Sequence, residues 1–361
     1  MPVFAVETAA QRSPAIVERG ALSTLADHIP VRAGCVFVVT TEDVWRLHGS
    51  KLHGALEGRA HHVLFFPGGE ERKRIAEVEA LADSMMAAGA DRTSVVVAFG
   101  GGIVGDVAGF LAAVFMRGIP VIQAPTTLLA QVDASIGGKT GVNLAGGKNL
   151  VGAFHQPLAS LVDPEVLSTL PDREYRAGLY EVLKCGVIRS PKLFRVMAEQ
   201  PARVLAHDPE VVDWIIAESV RIKVEVVNAD ERETGLRRIL NFGHTFGHAL
   251  EAATGYSRLL HGEAVSFGMR AATHLAHLTA GLSAEDGVDI FEALDRYGPI
   301  PSLDGVAPDA LLGRMRQDKK TIHGSVHFVL PERIGEVRIV SGVLEEVVRM
   351  AVESAMADLA S

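Results

Sequence analysis

The sequence predicts an α/β protein: an N-terminal domain built on a parallel β-sheet, then a mostly α-helical domain, divided as 1–170 and 171–361. Two observations predict it. In the first half, short apolar runs alternate with helix-length amphipathic stretches, the rhythm of βαβ units whose sheet is covered on both faces. From about residue 169 that rhythm stops and long helical patterns follow one another. A chain of 361 residues, 48% apolar and 22% charged, has the length and the ordinary globular composition for two such domains.

Taken in order, residues 3–18 read as an antiparallel hairpin beside the sheet. Residues 35–40, 62–66, 94–99 and 120–125 are strand-length apolar runs and read as buried strands, with helices at 70–88 and 104–114 between them. The longest apolar stretch, 95–115, holds five glycines and Asp106, so it reads as strand, turn and helix and not as a membrane span. Pro171 beside Asp172 marks a capped helix start, and Asp208-Pro209-Glu210 repeats that logic. Helical patterns then cover 173–188, 209–227, 236–253, 263–279 and 285–297, and only 325–330 and 337–340 read as extended.

The net charge of −9 argues against a general nucleic-acid or anionic-membrane surface, since phosphate-backbone binding needs a basic face. Basic residues nonetheless gather in a few motifs, which suits a small local anion site. Two cysteines, Cys35 and Cys185, give no disulfide framework, so a reducing cytoplasm is expected. The stretch Met1 to Glu7 has no basic region followed by an apolar run, so no signal peptide is expected.

Chemistry concentrates in a few places. His244 and His248 stand at i, i+4 on one helical face, His261-Gly262-Glu263 follows after a loop, and Arg237 and Arg238 lie upstream. Neutral imidazoles suit zinc, and the adjacent cations suit an anionic substrate. Spacing alone leaves open which histidines share an ion. Gly100-Gly101-Gly102-Ile103-Val104-Gly105-Asp106 follows a strand and opens a helix, a turn whose N–H groups can approach a pyrophosphate. It is not at the first βα turn and no acidic residue closes the next strand, so it does not read as a plain Rossmann dehydrogenase. Thr126 and Thr127 add hydroxyls at the same carboxyl edge. Lys139 and Lys148 sit among glycines and amides in what read as loops, a setting for holding an anion. Glu181 and Lys184 share a helical face; their apolar surroundings predict burial, and a buried carboxylate needs a partner, a metal being one candidate. Lys223 and the triplet Asp318-Lys319-Lys320 would be ordinary solvated charges in isolation.

Together these motifs resemble the 3-dehydroquinate synthase family of sugar-phosphate cyclases. The resemblance runs from about Pro67 to Val337. It includes Pro67-Gly68-Gly69-Glu70-Glu71-Arg72-Lys73, the Gly100 to Asp106 turn, Met116-Arg117-Gly118, Pro125 to Asp133, Gly137 to Asn143, Gly147 to Phe154, Leu170-Pro171, Gly178 to Gly186, Ala229 to Arg232, Leu240 to His248, His261-Gly262-Glu263 and Asp318-Lys319-Lys320. It implies a Rossmann-like first domain and a helical second one. It implies NAD bound by Glu70, Lys73, Gly101, Gly102, Gly105, Asp106, Thr126, Thr127, Lys139, Lys148 and the turn Leu167-Ser168-Thr169. It implies zinc or cobalt on Glu181, His244 and His261, which moves His248 from the metal to the substrate. The substrate contacts it implies are Arg117, Asp133, Lys139, Asn149, Lys184, Lys223, Arg237, Asn241, His248 and one of Lys319 or Lys320. It also suggests a homodimer. Tyr180 stands where the family usually has a small residue, Cys185 where it has tyrosine, and Thr41-Glu42-Asp43 replaces the commoner acidic-first loop.

The substrate so implied is 3-deoxy-D-arabino-heptulosonate 7-phosphate, with a carboxylate and a phosphate to hold. The expected course is transient oxidation by NAD, loss of phosphate, re-reduction, ring opening and aldol closure, under a closed domain cleft. Arg117, Asn149, His248 and a lysine of the Asp318 triplet are expected at the phosphate, and Arg237, Lys223 and Asn241 nearer the carboxylate and ring hydroxyls. The competing readings are a metal-dependent polyol dehydrogenase, a cyclase for a different sugar phosphate, and a non-catalytic NAD-binding regulator.

Overall fold

The computed structural model describes residues 2–9, 11–318 and 326–360, so Lys319 and Lys320, singled out above, lie outside the described residues. The chain forms two compact units: Met1–Tyr175 with Val212–Arg232, and Arg176–Val211 with Glu233–Ser361.

The first unit holds β1 (Val3–Glu7), β2 (Arg12–Val17), β3 (Val36–Thr40), α1 (Glu42–Ala55), β4 (His61–Phe65), α2 (Ile75–Ala87), β5 (Val95–Gly100), α3 (Gly102–Val114), β6 (Val121–Pro125), β7 (Lys139–Leu144), β8 (Gly147–Phe154) and β9 (Ser160–Val162). Seven strands make one sheet in the order β1-β2-β9-β6-β5-β3-β4. All neighbours pair in parallel except β1 with β2, the hairpin expected at the sheet's margin. Every residue of β3 and β5 is buried, as parallel strands covered on both faces require. Their side chains alternate between two cores: Phe37, Val39, Val96 and Ala98 pack with residues of α2 and α3, while Val36, Val38, Val95, Val97 and Phe99 pack with Leu52 and the 3₁₀ segment Ala21–His28.

Two expectations change here. Residues 70–88 are not one helix: a 3₁₀ turn Glu70–Arg72 is followed by extended Arg74 (φ −129°, ψ 159°), and α2 begins at Ile75. The chain leaves the helical path because Asn143 N–H donates to the Lys73 carbonyl (2.8 Å), tying this segment to β7. The glycine-rich lysine segments are likewise not loops; β7 and β8 form an antiparallel hairpin.

Beyond β9 come α4 (Asp172–Arg189), α5 (Pro191–Glu199), α6 (Pro201–Leu205), α7 (Pro209–Ala229), α8 (His244–Ala253), α9 (His261–Thr279), α10 (Ala284–Asp295), α11 (Pro308–Asp318), β10 (His327–Arg333), β11 (Glu336–Ser341) and α12 (Glu345–Ala360). Most of α7 belongs to the first unit, and the remaining elements, with α4 from Arg176 on, make the second. There α9 is buried along most of its length and lies against α8, α10, α12 and β10. The helix expected over 236–253 is interrupted: a 3₁₀ turn Leu236–Asn241 ends, Gly243 takes φ +81°, and α8 starts afresh at His244. A left-handed residue cannot continue a right-handed helix, and glycine adopts that conformation without steric cost. No helix among the described residues is long and apolar enough to cross a membrane.

Candidate active site

In the second unit, Glu181 on α4, His244 at the start of α8 and His261 at the start of α9 converge, with one ligand atom from each lying within 4.8 Å of the others. Glu181 Oε1 is 3.7 Å from His244 Nε2 and 3.8 Å from His261 Nε2. Two ligands bound tetrahedrally at about 2.1 Å stand about 3.4 Å apart, so small side-chain shifts would complete a zinc site. The carboxylate itself supplies the test of fit. Glu181 is 1% exposed, its Oε2 accepts from Lys184 Nζ, and its Oε1 accepts no hydrogen bond among the described residues. A buried carboxylate oxygen left so is costly unless a cation takes it. The donor set, two imidazoles and a carboxylate, is one that catalytic zinc uses with a position left open.

Close backbone approach makes the convergence possible. A Cβ on Gly262 would lie 1.9 Å from the Ala177 carbonyl oxygen, and one on Gly268 would lie 1.8 Å from that of Gly243. Only glycine lets α9 meet α4 and the entry to α8 at these points. The α9 start is fixed by Glu263, whose carboxylate accepts from the Leu260 N–H at 2.7 Å. His248, one turn after His244, is exposed and lies outside the Glu181 triad; its ring centroid is 5.3 Å from that of His244 and 5.9 Å from that of His261. Nearby, Arg237 is 1% exposed, and Asn241 Nδ2 donates to Glu233 Oε1 at 2.6 Å. Tyr180 and Cys185 fill packing on α4; burial pushes the Tyr180 phenol up to about 12, against the hydrogen bond with Ser266, so the ring stays neutral.

In the first unit, the Gly100–Gly102 turn and Thr126-Thr127 follow adjacent parallel strands, with Gly100 opposite Pro125 in the β5–β6 pairing and the Thr126 N–H donating to the Gly100 carbonyl at 2.9 Å. This is the carboxyl edge of an open α/β sheet, where ligands bind, and α3 presents its N-terminus there. Beside it, Lys73 Nζ donates to Asp106 Oδ2 and to Asn149 Oδ1, each at 2.5 Å, while Asn143 Nδ2 donates to Glu70 Oε1 at 2.7 Å. The Asn143 Oδ1 accepts from the Asn149 N–H at 2.8 Å, and Lys148 reaches Glu70 at 4.0 Å. Burial pushes the Asp106 carboxyl up, opposed by the Lys73 ammonium beside it. Asn149 holds φ +54°, a left-handed position asparagine tolerates better than most residues.

Elsewhere in this unit, buried Lys223 on α7 pairs with Asp133, which sits in the short π-helix Ala130–Ala134. Arg117 is exposed at φ +72° in a tight turn, and Lys139 is exposed at the head of β7. Leu167, Ser168 and Thr169 lie in the 3₁₀ segment Pro164–Thr169, where Thr169 Oγ1 meets His48 Nε2 at 2.7 Å. A cleft of about 710 Å³ lined by Thr41, Glu42, Asp43, Arg46, Phe65, Phe66 and Pro67 opens at the carboxyl ends of β3 and β4, a volume suited to a small-molecule ligand. Sequence reasoning missed Asn143, which braces Glu70 and Asn149, and the buried Glu251 beside His261. The only signal for Glu251 is its spacing, seven residues past His244 and three past His248 on one helical face.

Comparison with known proteins gives a consistent result. Residues 63–177 match the family model for the 3-dehydroquinate synthase N-terminal region, and residues 178–321 match that for its C-terminal region. A protein of Solibacter usitatus (strain Ellin6076) named 3-dehydroquinate synthase is 61% identical over 357 residues, covering 99% of this chain and 100% of its own. Among solved structures, 2-epi-5-epi-valiolone synthase from Streptomyces hygroscopicus subsp. jinggangensis 5008, with NAD⁺ and Zn²⁺ bound, is similar with a TM-score of 0.88 at 30% identity, covering 100% of this chain and 99% of that one. A 2-deoxy-scyllo-inosose synthase complexed with carbaglucose-6-phosphate, NAD⁺ and Co²⁺ also has a TM-score of 0.88, at 25% identity, with 98% and 99% covered.

Proposed function

Because the chain belongs to the 3-dehydroquinate synthase family, we propose that it converts 3-deoxy-D-arabino-heptulosonate 7-phosphate to 3-dehydroquinate and phosphate, a step of the shikimate pathway. The observation that carries the reading is Glu181: a buried carboxylate with one oxygen on Lys184 and the other turned toward two imidazoles. We assign NAD to residues 1–170 and the divalent cation and most substrate contacts to 171–361, in a cytoplasmic homodimer. When bound, NAD accepts and returns a hydride and the cation acts as a Lewis acid toward substrate hydroxyls.

The chain's own residues hold and orient. Gly101 and Gly102 bring backbone N–H groups to the dinucleotide's pyrophosphate, Gly105, whose own N–H donates to the Gly101 carbonyl, lets α3 pack close to Gln123, and the Thr41 to Pro67 cleft suits the adenosine end. Glu70, Lys73, Asp106, Asn143 and Asn149 already hold one another, so this cluster is set before a ligand arrives. Arg237 offers a planar fork for a carboxylate or phosphate, and Lys223 a point charge kept in place by Asp133. Lys184 holds one oxygen of Glu181 and so orients the carboxylate. His248, exposed beside the triad, can move a proton near the phosphate.

The test is phosphate release with NAD⁺ far below the substrate concentration. Many phosphates per NAD⁺ without NADH accumulating is the expected result, with sedoheptulose 7-phosphate inert. One NADH per turnover and no phosphate would mean a polyol dehydrogenase, and turnover of sedoheptulose 7-phosphate alone would mean a different cyclase.

A further inference from the structure

We propose that Glu251 is a positioning residue for the cation site, acting through the Nδ1 of His261. The His261 ring lies between two buried carboxylates. Its Nε2 is 3.8 Å from Glu181 Oε1, and its Nδ1 is 3.6 Å from Glu251 Oε1. Glu251 is 2% exposed, on the last turns of α8, in a place where packing alone would favour an apolar side chain. An imidazole that gives Nε2 to a cation is neutral and carries its proton on Nδ1, so the group facing Nδ1 decides the tautomer and the ring's aim. A shift of about 0.7 Å brings Nδ1–H and the Glu251 carboxylate to hydrogen-bond length. Glu251 also makes a ligand-distance group with His248 and His261, so its rival role is a direct ligand at a second cation position.

The inference rests on Glu181, His244 and His261 being the cation ligands, and His244→Ala tests that separately. Zinc affinity is measured by chelator competition on the full chain, together with the visible spectrum of the Co²⁺-loaded protein, NAD⁺ affinity and the urea midpoint of the metal-free protein. Glu251→Gln is expected to weaken zinc roughly 10–100-fold and to shift the cobalt bands. NAD⁺ affinity and the metal-free midpoint stay as in the wild type, and Glu251→Asp recovers part of the loss. An unchanged zinc affinity and cobalt spectrum in Glu251→Gln overturns the proposal. So does a loss matched by a fall in the metal-free midpoint, which would make Glu251 a packing residue. Two zinc equivalents in the wild type falling to one in Glu251→Gln would make it a ligand instead. A wild type that binds no zinc overturns the underlying assignment as well.

Discussion

At the residue scale, Glu181 is held on one side by Lys184 and left open on the other, and the two histidines stand on the open side. His244→Ala should therefore lose zinc by more than about 100-fold, beyond what outer partners command, and should lose turnover with it. Elemental analysis after dialysis checks the first and phosphate release the second. Lys223→Ala should lower kcat/KM for the sugar phosphate by about 10–100-fold while leaving NAD⁺ affinity intact, since a charged contact is worth about 1.5–3 kcal/mol. Equal loss of both affinities would place Lys223 in the scaffold that orients Asp133 and not at the substrate. Much of this was legible in the residues. His244 and His248 stand out by their i, i+4 spacing and His261 by its return after a loop, and the apolar neighbours of Glu181 foretold its burial. Their grouping was not legible from spacing, because His248 is nearer in sequence than Glu181 and only the α4–α9 approach brings the carboxylate in. Glu251 had only its spacing from His244 and His248 to mark it, and a glutamate among alanines on a helix reads as a solvated face.

At the element scale, the glycine contacts make a sharp prediction. Gly262→Ala puts a methyl group into the Ala177 carbonyl, and should cost about 3 kcal/mol and lower the urea midpoint. An unchanged midpoint would mean that α4 and α9 separate freely. A second prediction concerns α1 and the Pro164–Thr169 segment, which meet through His48 and Thr169. Burial, helped by the Lys51 charge, lowers the His48 pKa. A group whose folded pKa is depressed contributes stability above its unfolded value and loses it as the pH falls through the folded one. Stability should therefore decline below about pH 6.5, and His48→Gln should flatten that part of the curve in urea titrations between pH 7.5 and 5. An identical slope in the variant would exclude His48 as the source. The buried strands and the hairpin at the sheet's margin were legible because their patterns are local. The β7–β8 hairpin was not, since its glycines and lysines match loop composition and its strands are specified by pairing with each other. The break at Gly243 was masked by apolar periodicity that runs through it.

At the scale of the whole molecule, the order of sheet then helices was plain in the rhythm of the chain, and the structure has both. The assignment of Val212–Arg232 to the first unit was not, because a helix looks alike in sequence whichever core receives it. The proposed chemistry needs a single cation shared by residues from three helices. Anomalous scattering from a crystal of the zinc-loaded protein measures this most directly. The account predicts one peak bonded to Glu181, His244 and His261 at about 2.0–2.2 Å. A zinc peak at any other residues, or none at these three, would contradict it.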